Sequence, residues 1–378
     1  MPHLFDPYTL RGVTLRNRIV VSPMCQYSSV DGFPDDWHLV HLGARAVGGA
    51  GLVIAEASAV EARGRITPGD LGIYKDEHIA PHARITRFVR SQGAVPGIQI
   101  AYAGRKASRT PPWETDPKAM QGRWMSPEEG GWLPIGASPI AFNETSPAPR
   151  EMTKADIDEV VAAFAAAARR AGEAGYEWIE VHGAHGYLLH SFNSPISNQR
   201  QDEYGGSLDN RCRLTREATR AVREVWKGPL AVRISHTDWA DGGWTTEDAV
   251  HLARGLKEDG ADLIDVSSGG SVPRPSVVIG PGYQVLGAEA VRRGADIPVG
   301  AVGLITDPAQ ADELVRNGRA DLVLLARELL RDPYWPIHAA VALGHVPKMR
   351  VPVQYNPAWM RHGEFSFEPV SAPRQSPA

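Results

Sequence analysis

Short apolar runs recur along the chain, most of them following a helical stretch that closes near a glycine. Eight are present, at residues 18–21, 51–55, 96–100, 178–181, 230–234, 262–266, 297–300 and 321–325. Gly93, Gly175, Gly260 and Gly318 stand just after helical stretches, where a left-handed C′ residue ends a helix. Between the runs, Thr153 and Asp156 form a capping-box pattern, and Ile157, Val160, Val161, Phe164, Ala168 and Ala171 follow at helical spacing. Asp307 and Pro308 read as N-cap and first helical residue, with Leu314 and Val315 on the buried face. Strands alternating with helices imply a parallel sheet covered on its faces. Eight of them, with no glycine-rich dinucleotide fingerprint, predict one closed (β/α)8 TIM barrel of the α/β class rather than a doubly wound sheet.

The barrel is expected over residues 1–362, with a mobile tail over 363–378 that ends in Ser-Ala-Pro-Arg-Gln-Ser-Pro-Ala. Residues 103–140 break the cadence after the third strand. They are rich in Pro and Gly and carry Trp113, Trp124 and Trp132, as a lid or decoration would.

Composition narrows the class. The chain has 378 residues, 43% of them hydrophobic, enough for one large core. Its formal charge of −4, without a basic block, argues against nucleic-acid binding. Two cysteines, Cys25 and Cys212, are too few for a disulfide framework or a thiolate metal cluster. Residues 1–10 lack the basic and apolar regions of an export signal, and the longest apolar run, 160–168, is far short of a membrane span. A cytoplasmic enzyme, free of the membrane, is the expectation.

The candidate chemistry lies at the strand ends. The fourth run meets Gly183, which is expected to end its pairing, so that His182, His185 and Tyr187 emerge together at the C-terminal edge. The first strand leads into Ser22, Pro23, Met24, Cys25, Gln26 and Tyr27, and strand alternation would put Cys25 and Tyr27 on one face. The second ends at Glu56–Ala57, the third carries Gln99, and the fifth carries Arg233. The last two end near Gly303 and at Ala326–Arg327, where barrels often bind phosphate.

Arg233 interrupts an apolar strand, and a buried guanidinium needs a partner. Either Glu56 or Glu180 supplies a salt bridge, or an anionic ligand sits beside it. The histidine pair admits two readings. With Cys25 and Glu56 it could bind zinc in a metal-dependent hydrolase, although Arg233 in the same mouth would repel the ion. As neutral imidazoles, the two could instead donate to a carbonyl that gains charge during reaction.

These residues resemble the Old Yellow Enzyme family of FMN-dependent ene-reductases, in its thermophilic-like bacterial branch. The matching stretches are Leu15–Ile19, Ser22–Cys25, Gly104–Lys106, His182–Tyr187 and the long run Asn198–Arg211. The resemblance implies tightly bound, non-covalent FMN and NADPH or NADH as hydride donor, with no metal. It implies that Ser22, Pro23, Met24, Cys25, Ala57, Gln99 and Arg233 line the flavin ring, and that Gly303, Ala326 and Arg327 hold its phosphate. His182 and His185, helped by Tyr27, would bind the substrate oxygen. Tyr187 would give the proton, and Cys25 would lie near the flavin N5. Substrates would be enones, enals, maleimides or nitroalkenes, and the protein a homo-oligomer, dimer or tetramer. Three features depart from the family: Ala326 replaces a usual glycine, segment 103–140 is longer than in compact members, and Pro357 replaces an arginine that often reaches a neighbouring subunit. Arg361 is the nearby arginine that could take its place.

Overall fold

A computed structural model of the chain describes residues 1–115, 122–345 and 351–359. Its strands are β1 (Tyr8–Leu10), β2 (Val13–Leu15), β3 (Ile19–Val21), β4 (Leu52–Ala59), β5 (Val95–Ala101), β6 (Ile135–Gly136), β7 (Arg150–Glu151), β8 (Trp178–Gly183), β9 (Leu230–Ser235), β10 (Leu263–Ser267), β11 (Val299–Ala301) and β12 (Leu322–Leu325). Eight of them close into a barrel in the order β10-β11-β12-β3-β4-β5-β8-β9. All eight barrel pairings are parallel, and each strand falls on one of the eight predicted runs.

The helix signals act as the local chemistry dictates. Gly93, Gly175, Gly260 and Gly318 have φ of 77, 82, 96 and 66°, which costs a residue without a Cβ little. Thr153 and Asp156 cap the helix Lys154–Glu173 reciprocally, and Asp307 caps Pro308–Arg316. Among the described residues no helix is long and apolar enough to cross a membrane.

Strand alternation divides the core in two. Val20, Leu52, Ile54, Val95, Trp178, Ala231, Leu263, Leu322 and Leu324 fill the lower barrel interior. Their neighbours along each strand, such as Ile179, Val232 and Ile264, face the helices in a larger shell. The β1–β2 hairpin packs Tyr8, Leu10 and Val13 against the interior cluster, closing the barrel at its N-terminal end. The chemistry is thereby confined to the other end.

The excursion after β5 runs further than residues 103–140, reaching Thr153. It holds a 3-10 turn at Gly104–Lys106, a short helix at Pro112–Thr115, another 3-10 turn at Pro127–Glu129, and the β6–β7 pair. Pro357 lies in the short helix Asn356–Trp359. Arg361 and the tail 363–378 lie outside the described residues.

Candidate active site

Above the apolar interior sits a layer of buried polar groups: Gln99 on β5, Glu180 on β8, Arg233 on β9 and Asp265 on β10. Gln99 Nε2 donates to Glu180 Oε1 at 2.7 Å. Arg233 Nε lies 3.0 Å from Asp265 Oδ2, and Nη1 donates to Ser22 Oγ at 3.1 Å. Arg233 therefore pairs with neither Glu56 nor Glu180. Parallel register sets Asp265 directly beside it, and the two project from adjacent strands to the same side.

The layer holds two carboxyl groups for one guanidinium, and Glu180 and Asp265 lie within hydrogen-bonding reach of each other. Burial, then the Asp265 charge, pushes Glu180 up to about 8. The pair thus retains a proton that the unfolded chain would release above the ordinary glutamate range. Between about pH 5 and 8 the folded state binds more protons than the unfolded state, so this pair makes stability fall as pH rises. Glu180→Gln removes that slope. The variant's denaturation midpoint is expected to gain on the wild type as pH is raised from 5 to 8. Curves that stay parallel would mean both carboxyls are ionised throughout.

The next inward position up β8 is His182, and its strand does not stop where the glycine suggested. His182 still pairs with Arg233, and Gly183 with Ile234. The chain leaves the sheet at Ala184 and turns through His185 and Gly186, with φ of 60 and 69°. A Cβ on Gly186 would lie 2.2 Å from the Gly270 carbonyl oxygen, so only glycine fits there. Two buried groups pin the turn. His190 Nδ1 accepts from Gly186 N–H at 2.8 Å, with Asp238 3.3 Å behind the ring. Lys106 Nζ donates to the carbonyls of His185 and Gly270 at 2.8 and 3.1 Å.

This turn brings the three predicted residues together. The His182 ring centroid lies 5.1 Å from that of His185 and 5.2 Å from that of Tyr187. His182 Nδ1 is buried without a partner, whereas His185 Nε2 lies 2.7 Å from Ser267 Oγ. Burial, then the Arg233 charge, holds both imidazoles well below the usual histidine range, so both are neutral. Burial, then Cys25, raises Tyr187 far above the usual phenol range. Its hydroxyl keeps its proton at any working pH.

Cys25 and Tyr27 also reach this mouth, but not by strand alternation. β3 ends at Val21, and Tyr27 has a φ of 51°. Both pack with Tyr187, Ile66 and Ala103, and burial keeps the Cys25 thiol protonated. The second barrel strand likewise runs past Glu56–Ala57 to Ala59. A bulge at Glu56 leaves Ala57 beside Gln99. Glu56 turns away from the mouth, accepting from Gln26 N–H at 2.9 Å and lying 3.4 Å from His38 Nε2. It joins neither Arg233 nor the His182–His185 pair. Among the described residues no group of three His, Cys, Asp or Glu side chains is arranged to hold a metal ion.

On the β10–β12 side a cavity of about 290 Å³ opens beside His185 and is lined by Ser267, Gln284, Gly303, Ala326 and Arg327. Gly303 has φ 124°, and a Cβ there would meet Gln284 Nε2 at 2.9 Å. Ser267, Gln284 and Asp265 were not singled out in the sequence, and the bracing Lys106 stood there only within the matching stretch Gly104–Lys106, without a role. Their signal was position alone: Asp265 and Ser267 alternate toward one face of the sixth run, and Lys106 follows the third.

The family model described as the NADH:flavin oxidoreductase / NADH oxidase family matches residues 3–344. An NADPH dehydrogenase of Geobacillus sp. (strain WCH70) is 52% identical over 358 residues, covering 94% of this chain and 98% of that protein. An NADPH dehydrogenase of Bacillus subtilis (strain 168) is 48% identical over 358 residues, covering 94% and 99%. Among solved structures, a 2-naphthoyl-CoA reductase complex superposes with a TM-score of 0.79 at 25% identity, over 92% of this chain but 53% of that one, about half its length. Morphinone reductase superposes with a TM-score of 0.75 at 24% identity over 90% of each chain, a likeness of fold.

Proposed function

The chain belongs to the NADH:flavin oxidoreductase / NADH oxidase family and is an FMN-dependent NAD(P)H oxidoreductase, and from that premise we propose that it reduces the activated C=C bond of α,β-unsaturated ketones, aldehydes, maleimides and nitroalkenes. One observation carries the reading. Two neutral imidazoles and a protonated phenol converge above a buried arginine at the end of one strand. Hydrogen-bond donors aimed at an oxygen that gains charge, with an acid beside them, are what conjugate reduction requires.

The residues present fit FMN. Arg233 gives one N–H to Ser22 and leans Nε on Asp265, so donors of its guanidinium remain for a planar acceptor edge. Ser22, Pro23, Met24, Cys25, Ala57 and Gln99 would complete the ring site. Gly303, Ala326 and Arg327, which share one cavity, would hold the phosphate. Bound FMN supplies the hydride relay between the nicotinamide donor and the alkene. The chain's own residues do the rest. His182, with an unmet ring nitrogen, and His185, on exchanging Ser267 for the ligand, would orient the substrate oxygen, with Tyr27 beside them. Tyr187 would hold the proton destined for Cα. Burial, then the Asp70 and Glu56 charges, keeps the Cys25 thiol protonated, and it would tune the ring site rather than attack as a nucleophile.

Anaerobic mixing with NADPH and then 2-cyclohexenone tests the proposal, with saturated ketone as the expected product. NADPH oxidation by dioxygen alone, with the enone returned intact, would sink it. His182→Ala and His185→Ala should each weaken binding of a phenolate ligand such as 4-hydroxybenzaldehyde about tenfold to a hundredfold, since each removes one donor to a charged oxygen. Unchanged titration curves for both variants would count against the histidines as the oxygen site.

A further inference from the structure

Arg105, Lys106 and Arg109 follow β5 closely, and each is 3% exposed. Their cationic heads gather on the Phe142 ring, 5.7, 4.7 and 5.5 Å from its centroid. Among the described residues, their hydrogen bonds run to neutral oxygens. Arg105 donates to Ser271 O, Lys106 to His185 O and Gly270 O, and Arg109 to Lys106 O, Gly122 O and Ser146 Oγ. Among the described residues, the carboxylate that acts on this cluster is Asp238, on Arg105. Asp238 already accepts from Ser194 Oγ and Trp244 N–H. Burial lowers all three groups, and the two arginines depress Lys106 further. Carbonyl oxygens orient a buried cation but carry no counter-charge, so among the described residues the charge of the two arginines is met only in part, by Asp238 on Arg105.

Lys106 and Arg109 also line a recess of about 50 Å³, together with Tyr27, Ile66, Thr110 and Tyr187. It is several times smaller than the 290 Å³ cavity beside His185, a size suited to a substituent rather than to a whole nucleotide. It shares Tyr187 with the histidine pair, which places it within reach of a substituent on a molecule whose oxygen lies at His182. Arginine's planar fork matches a carboxylate in both shape and charge. We propose that this recess is an anion subsite and that the preferred acceptors are activated alkenes bearing a carboxylate, which Arg109 and Lys106 bind. The inference rests on the ene-reductase reading above.

The test uses 2-cyclohexenones with a carboxymethyl group at ring carbon 4, 5 or 6, each compared with its methyl ester. For at least one position the acid should exceed its ester in kcat/KM by about tenfold or more, the size of a charge-assisted contact. Arg109→Met should abolish that preference while leaving unsubstituted 2-cyclohexenone within about twofold of wild type. Esters that match or beat their acids at every position would overturn the subsite, a comparison that needs only the wild-type holoenzyme if the variant fails to fold. An intact acid preference in Arg109→Met with affinity lost for NADPH but not NADH would assign the charge to the donor's phosphate and overturn it too. If 2-cyclohexenone is not reduced while NADPH is still oxidised, the ene-reductase reading falls. Calorimetric titration of acid against ester then decides the subsite, tighter acid binding supporting it and equal binding overturning it.

Discussion

Replacing Tyr187 by phenylalanine is expected to slow enone reduction by about 10²–10⁴-fold, the usual loss of a positioned general acid. The half-buried Tyr187 ring lies 5.2 Å from that of His182 and its hydroxyl keeps its proton, so the variant loses the proton and little of the packing. Oxidation of NADPH in the first half-reaction should stay within about twofold of wild type, because no proton from Tyr187 is needed there. Nitroalkenes, whose nitronate product tolerates delayed protonation, should suffer less than 2-cyclohexenone. Rapid-mixing measurements separate the two halves. A defect confined to NADPH oxidation would remove Tyr187 from the acid role.

Arg233→Ala should cost both cofactor and stability. The substitution leaves Glu180 and Asp265 facing one another with no cation in the layer. Breaking a buried ion pair from one side typically costs about 3–5 kcal/mol. The purified variant is expected to lose the flavin absorption band or to hold FMN at a more negative reduction potential, and to unfold at lower denaturant. Arg233→Lys retains a charge without the fork and should fall between the two. Full flavin occupancy at an unchanged potential and midpoint would show that the arginine balances the carboxyl pair and nothing more.

The strands, the helix caps and the gathering of His182, His185 and Tyr187 were legible in the chain because their causes are local. Alternation along a strand, a capping side chain three residues from its target and a glycine at a left-handed C′ position act over a few residues. The resemblance to a known family supplied the cofactor and the role of each site residue, which patterning could not assign. Where the reading went wrong, the cause was distance along the chain or an irregularity that pattern does not register. Cys25 and Tyr27 meet through a coil with a left-handed tyrosine, not through a strand. A bulge in β4 turns Glu56 toward His38, and β8 stays paired through Gly183.

Composition and periodicity by themselves determined an eight-stranded α/β barrel with its polar groups at the strand ends. Only the closed structure decided which of those groups meet. Asp265 faces Arg233 because ring closure and parallel register place them side by side. Lys106 reaches the carbonyls of His185 and Gly270 across the barrel mouth, and the β1–β2 hairpin seals the opposite end. Such neighbours come from different strands and loops, and the relative position of those elements is set by how the whole sheet curves and closes, a property no short stretch of sequence carries.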